Sequence, residues 1–147
     1  MPEQTPDARR IMLIVAVCLI PGLALQAILI DPIGVLLNVL TACGVAVGTD
    51  RLCLRLRSPQ GQRGRALTMA PTVSDASALV TALILAAALP PGAVSAVALA
   101  TLTALALGKH AYGGLGNNVF NPAMGGYAIA LVSLPMTAAI WPAGSSA

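Results

Sequence analysis

The chain alternates long apolar stretches with short polar ones, and the polar stretches carry the punctuation. From Ile11 to Ile30 no charged residue interrupts the run. At 1.5 Å per residue, about 20 apolar residues cross a bilayer. Asp31-Pro32 makes a tight turn, and Gly34 to about Thr49 forms a second apolar run. Asp50 to Arg57 then alternates charge with leucine (Arg51, Leu52, Leu54, Arg55, Leu56, Arg57), an interfacial pattern whose guanidinium groups can snorkel to phosphates. Residues 58–69 are polar and rich in Gly, Gln and Arg. A third run, Ser77 to Leu89, is stopped by Pro90-Pro91, and a fourth spans Ala93 to Gly108. Asn121-Pro122 opens the fifth, which continues to about Ile140 with Pro135 inside it. Asn as N-cap with Pro as first helical residue is a helix-start signal.

This pattern predicts an all-α, polytopic membrane helical bundle of about five transmembrane segments. They are expected over residues 11–30, 34–50, 77–90, 93–109 and 123–140. A tail over residues 1–10 precedes them, a basic loop covers residues 51–70, and residues 141–147 form a small polar tail. Pro21-Gly22 is expected to kink the first helix. A signal peptide is the competing reading of that first run, because Arg9 and Arg10 precede it. The run is longer than a usual signal core and no A-x-A-like site closes it, which favours a retained span.

Composition removes the soluble alternatives. The 147 residues are 57% hydrophobic and 9% charged, with a mean hydropathy of +0.86. A soluble domain carries roughly 25% charge, and one small core cannot hide this much apolar surface. Ala, Leu, Val and Gly dominate, which suits close helix packing in lipid. The net charge of +3 does not indicate nucleic acid, because Arg9, Arg10, Arg51, Arg55, Arg57, Arg63 and Arg65 flank the spans. With the N-terminus cytoplasmic, every Lys and Arg falls on the cytoplasmic side, as membrane topology requires. The C-terminus then lies outside. Cys18, Cys43 and Cys53 show no CxxC spacing and read as reduced thiols outside any disulfide. His110 is the only histidine, which leaves little for a histidine metal site or a Ser-His-Asp triad. No acidic residue sits in mid-span, so no self-contained ion relay of carboxylates is present.

Two polar constellations remain. Between Tyr112 and Asn121, Gly113, Gly114 and Gly116 permit positive φ and close backbone approach. Asn117, Asn118 and Asn121 supply amides at the mouth of a helix, whose first N–H groups and dipole favour a polar heterocycle, a quinone carbonyl or an anion. A capped turn between two spans explains the same residues. Ser74-Asp75-Ala76-Ser77 precedes the third run: Asp75 or Ser74 caps that helix, or Asp75 helps hold a cofactor or cation, with Thr81 facing the bundle. Short, interrupted apolar segments beside polar loops are the usual pointer to a transporter-like site. Asn121-Pro122-Ala123 also matches the turn of water channels, but that family uses two such turns, and one is present here.

The stretch Gly108-Lys-His-Ala-Tyr-Gly-Gly-Leu-Gly-Asn-Asn-Val-Phe-Asn-Pro-Ala-Met124, with Ser74-Asp-Ala-Ser-Ala-Leu-Val-Thr81 and Leu89-Pro-Pro91, resembles one membrane-protein family. It is the D subunit of the Rnf electron-transport complex and its relative, the B subunit of sodium-translocating NADH:quinone reductase. The resemblance implies a ten-helix fold of two related five-helix halves, of which this chain is the first. It implies a split, truncated or fragmentary product in a bacterial inner membrane, with other Rnf-type membrane subunits and the lipid bilayer as partners. Electron transfer would be coupled to Na⁺ or H⁺ translocation, with catalysis spread over several chains. The family carries FMN esterified to a threonine in an S-G-A-T-like motif in its later half, and riboflavin or FMN elsewhere. No such motif occurs here, so no covalent FMN is expected. Non-covalent flavin or quinone binding carries over to Gly113, Gly114, Asn117, Asn118 and Asn121, with Asp75 beside them. The alternative is a non-redox, channel-like or structural membrane module, in which two copies imitate the two-half fold.

Overall fold

The fold is described from a computed structural model, which defines the backbone of residues 6–57, 76–111 and 121–142. All regular structure among these residues is helical. Helix α1 spans Pro6–Leu29 and α2 spans Pro32–Arg57. Helix α3 covers Ala76–Ala88, and α4 covers Val94–Thr103 before continuing in π-helical geometry over Ala104–Ala111. Helix α5 is Pro122–Ser133, and a single turn, α6, follows over Pro135–Ala138.

The boundaries follow from local chemistry. Asp31-Pro32 and Asn121-Pro122 start their helices in the same way. The Asp31 carboxylate accepts the Ile33 N–H at 3.0 Å, and the Asn121 Oδ1 accepts the Ala123 N–H at 3.1 Å. In each case the proline occupies the first helical position, where a missing N–H costs nothing. Beyond the expected second span, α2 runs on through the Arg-Leu stretch to Arg57, because Arg and Leu are both strong helix formers and nothing there breaks the ladder. Helix α1 passes through Pro21 without ending. Helix α3 stops at Leu89-Pro90-Pro91. The turn that follows is closed by the Ala93 N–H donating to the Pro90 carbonyl at 3.1 Å, with Gly92 at φ +80°. Only glycine takes that left-handed conformation without strain. At the far end, Leu134 sits at φ −133°, since the residue before a proline is pushed out of the α region. This separates α5 from α6.

Helix α3 is central, packing against α1, α2, α4 and α5. The core is mostly alanine with a few leucines: Ala42, Ala82, Leu85, Ala86, Leu89, Ala96, Ala100, Ala104 and Leu105 are all fully or almost fully buried. Small side chains let backbones approach. A Cβ on Gly126 of α5 would strike the Ala100 carbonyl oxygen and come within 2.8 Å of the Ala104 Cβ. One on Gly108 would lie 2.7 Å from the Pro122 Cβ. These two contacts also fix α4 and α5 as antiparallel neighbours.

The outside is apolar. Ile28 is 79% exposed and Val132 84%, and Ile11, Val17, Ile20, Leu25, Leu36, Leu40 and Met136 are also exposed. Leaving each in water costs about 1.5–3 kcal/mol relative to burial, so a lipid environment is the one that fits. Arg10–Leu29 and Pro32–Cys53 are long and apolar enough to cross a bilayer. Only 6% of the first of these is buried, whereas a core helix of a soluble protein would be mostly covered. The apolar parts of α3, α4 and α5 are shorter, at Ser77–Ala88, Val94–Gly108 and Pro122–Ser133. At 1.5 Å per residue, α3 extends about 20 Å against a hydrocarbon core of about 30 Å. It therefore ends inside the protein, where Leu89 and Pro90 are buried.

Candidate functional site at the converging helix ends

Three chain segments meet at one end of the bundle. The tight turn at Pro90–Ala93 reverses the chain between α3 and α4, and α4 and α5 are antiparallel, so α3 and α5 point the same way. The start of α3, the π-helical end of α4 and the start of α5 consequently share an end, with α5 packed against both of the others.

Each helix start contributes something different. Asn121 is extended (φ −63°, ψ 120°) and exposed, its side chain held by the Ala123 N–H. Its carbonyl accepts the Gly125 N–H at 3.0 Å, so the first turn of α5 is closed. Pro122 rests on Gly108, which ties that turn to the π-helical segment. On α3, Ser77 is buried, and its Oγ has no hydrogen-bond partner. Thr81 lies one turn further on and is also buried, facing the bundle. Two helix N-termini thus point towards one end, each with the positive pole of its dipole. The arrangement suits a ligand bearing carbonyl or phosphate oxygens. Among the described residues no group of three His, Cys, Asp or Glu is placed to hold a metal.

Of the site residues read from sequence, Asn121 is thus placed at this end. Gly113, Gly114, Asn117, Asn118 and Asp75 lie outside the described residues. Sequence reasoning missed Asn38. It is fully buried in α2, and its Nδ2 donates to the Pro90 carbonyl at 2.8 Å, across 52 residues of chain. The available signal was a single amide inside an otherwise apolar run, which in a membrane span marks a polar contact within the bundle. Thr101 of α4 is likewise fully buried, with an unpartnered Oγ1.

Apolar helices of membrane-crossing length, an alanine-glycine interior and an apolar exterior define a helical membrane protein. The chain belongs to the NQR2, RnfD, RnfE family, whose sequence pattern matches residues 3–146. It is 47% identical over 147 residues to the D subunit of the ion-translocating oxidoreductase complex of Pseudomonas aeruginosa (strain LESB58), a match covering 99% of this chain and 39% of that protein. The protein of the same name from Shewanella frigidimarina is 42% identical over 140 residues, covering 95% of this chain and 37% of the relative. That from Psychromonas ingrahamii is 36% identical over 140 residues, with the same coverage. The chain thus spans about two fifths of the length of the curated relatives it matches.

Proposed function

We propose that this chain acts as a membrane subunit of an ion-translocating electron-transport complex, helping to scaffold a flavin or quinone site rather than catalysing alone. The observation that carries this reading is the family match over residues 3–146, joined to the pairing of two helix N-termini at one end of the bundle. Asn121 orders the α5 start, and Ser77 offers an unpartnered hydroxyl at the α3 start. Gly113, Gly114, Asn117, Asn118 and Asp75 adjoin those two helices in sequence. FMN or riboflavin would be held there non-covalently, with its ring carbonyls or phosphate facing the donors. The positive-inside rule puts this end on the cytoplasmic side of a bacterial inner membrane, because Lys109 and the five-arginine connection adjoin it in sequence. The partners are other membrane subunits of the same complex, and the coupled ion is Na⁺ or H⁺.

The test is a flavin assay on membranes expressing a tagged chain together with the remaining subunits. Flavin that co-purifies and is released into the supernatant by acid supports the reading, and Gly114→Val is expected to reduce it at least tenfold. Flavin fluorescence retained on this chain's own band after denaturing electrophoresis would mean a covalent link and refute the non-covalent site. A chain that carries no flavin, recruits no partner subunits and runs as a homodimer would replace this reading with a structural membrane module.

A further inference from the structure

The first two helices form a hairpin with all its positive charge at one end. Helices α1 and α2 pack against each other across a short turn. Arg10 precedes Leu29, the last residue of α1, by 19 residues, and Arg51 follows Pro32, the first residue of α2, by 19 residues. At 1.5 Å per residue both stand about 28 Å from the turn, close to the thickness of a hydrocarbon core of about 30 Å. The two arginines therefore reach the same membrane interface on neighbouring helices, and both are exposed. The helical residues at this end hold Arg9, Arg10, Arg51, Arg55 and Arg57 against Asp7 and Asp50, whereas the turn carries Asp31 and no basic residue. Each exposed arginine also heads an apolar stripe. Ile14 and Val17 lie four and seven residues from Arg10, and Val47 and Leu40 lie four and eleven residues from Arg51, spacings that stay on one helix face. All four of these side chains are exposed.

We propose that Arg10 and Arg51 bind the headgroup phosphate of an anionic phospholipid at the seam between α1 and α2, with its acyl chains along the two apolar stripes. A guanidinium above aliphatic side chains matches a phosphate above acyl chains. Packed helices lie about 8–10 Å apart, a gap that two long arginine side chains can close on one phosphate between them. The guanidinium offers a planar fork of donors that fits phosphate oxygens, and its charge does not titrate. The occupant is a lipid because the stripes beneath both arginines are exposed and lie within helices of membrane-crossing length, whereas a soluble anion would use the arginines alone. It is an anionic lipid because five arginines against two aspartates leave an excess of positive charge at this end, which repels a headgroup ammonium. The Arg10–Leu29 span is only 6% buried, so protein contacts hold α1 weakly. A shared phosphate ties it to α2 at the end far from the turn. This binding goes beyond the function proposed above and requires neither flavin nor partner subunits.

The experiment is thermal unfolding of the purified full chain in dodecyl maltoside micelles, titrated with phosphatidylglycerol, phosphatidylcholine or soluble glycerol phosphate. Phosphatidylglycerol is expected to raise Tm saturably, and the other two to leave it unchanged. Arg10→Gln and Arg51→Gln should each raise the half-saturating lipid fraction about fivefold, the contribution of one arginine beside an anionic headgroup. The double variant should lose the shift. Gln is nearly as good a helix former as Arg and both positions are exposed, so the lipid-free Tm of the variants should match that of the parent. Arg65→Gln removes the same charge from the connection between α2 and α3, and should change the half-saturating fraction less than about twofold. Native mass spectrometry of the unaltered chain gives a reading that no variant's folding affects: phosphatidylglycerol retained in preference to phosphatidylcholine. Equal shifts with phosphatidylcholine would overturn the site as a contact of acyl chains alone. A shift with glycerol phosphate would replace the lipid by a soluble anion. Equal losses in Arg65→Gln and Arg10→Gln would reduce it to diffuse surface charge, and a full shift in the double variant would remove the two arginines from it.

Discussion

Gly125 and Gly126 are adjacent in α5, yet substitution to alanine is expected to move stability in opposite directions. At Gly126 the added Cβ strikes the backbone oxygen of Ala100 and lies 3.1 Å from its carbonyl carbon and 2.8 Å from the Ala104 Cβ. Backbone cannot rotate away, so α4 and α5 must separate by more than about 1 Å to restore ordinary contact at about 3.5–4.0 Å. A gap of that size forfeits a quarter to a half of the dispersion energy at each contact along the interface. In a bilayer, such packing is the principal force between helices. Overpacking of this kind costs about 1–3 kcal/mol. Replacing a mid-helix glycine returns about 0.5–1 kcal/mol, leaving a net loss of about 1–2 kcal/mol. At Gly125 nothing lies within 4 Å of the new Cβ, so only the gain of about 0.5–1 kcal/mol remains. The gain is common to both, so the two variants should differ by the overpacking cost alone, about 1–3 kcal/mol. SDS titration from mixed micelles, followed by far-ultraviolet circular dichroism, measures the difference. Unfolding of both variants at the same SDS mole fraction would refute the close α4–α5 approach.

Asn121→Ala removes the side-chain acceptor for the Ala123 N–H and should cost about 1 kcal/mol. Hydrogen exchange at Ala123 is expected to speed up while that in α3 is unchanged, and unaltered exchange would show that the cap is not formed. Gly92→Ala forces an L-residue to φ +80° and should cost about 1–2 kcal/mol, with Gly92→Asn less damaging. Equal thermal stability of these two variants and the parent chain would remove the left-handed turn from the account.

Much of the helical layout is legible in the sequence, because helix ends are written in local chemistry. Asn121-Pro122 announces the start of α5, and Pro90-Pro91 the end of α3, through backbone rules that need no partner. The Arg-Leu stretch after Asp50 was harder to read. Its alternation resembles an interfacial strip, yet the residues are helix formers, and α2 continues through them. Contacts across the bundle were not legible at all. Asn38 is one amide among apolar residues, and nothing near it in sequence names Pro90 as its partner 52 residues away. Gly126 and Gly125 look alike in the sequence, and only the direction each faces separates a close backbone contact from open space. The π-helical turns at Ala104–Ala111 also leave no sequence mark, because their apolar content fits an ordinary helix equally well. At the candidate site, sequence supplied the Asn121 cap correctly. The buried Ser77 hydroxyl became visible only once α3 was packed against its neighbours.

The closest approaches between α4 and α5 run through Ala100, Ala104, Gly108, Pro122 and Gly126, none of which has a side-chain rotamer to change. Leucine or methionine at such a seam can absorb a small displacement by turning about a side-chain bond. Alanine and glycine cannot. A force applied to the first turn of α5, where Pro122 rests on Gly108, is therefore carried into α4 as motion of the backbone itself. Helix α4 in turn begins at the turn that Asn38 holds from below. The close α4–α5 approach therefore ties the position of the α5 start to that of α4 as backbone against backbone.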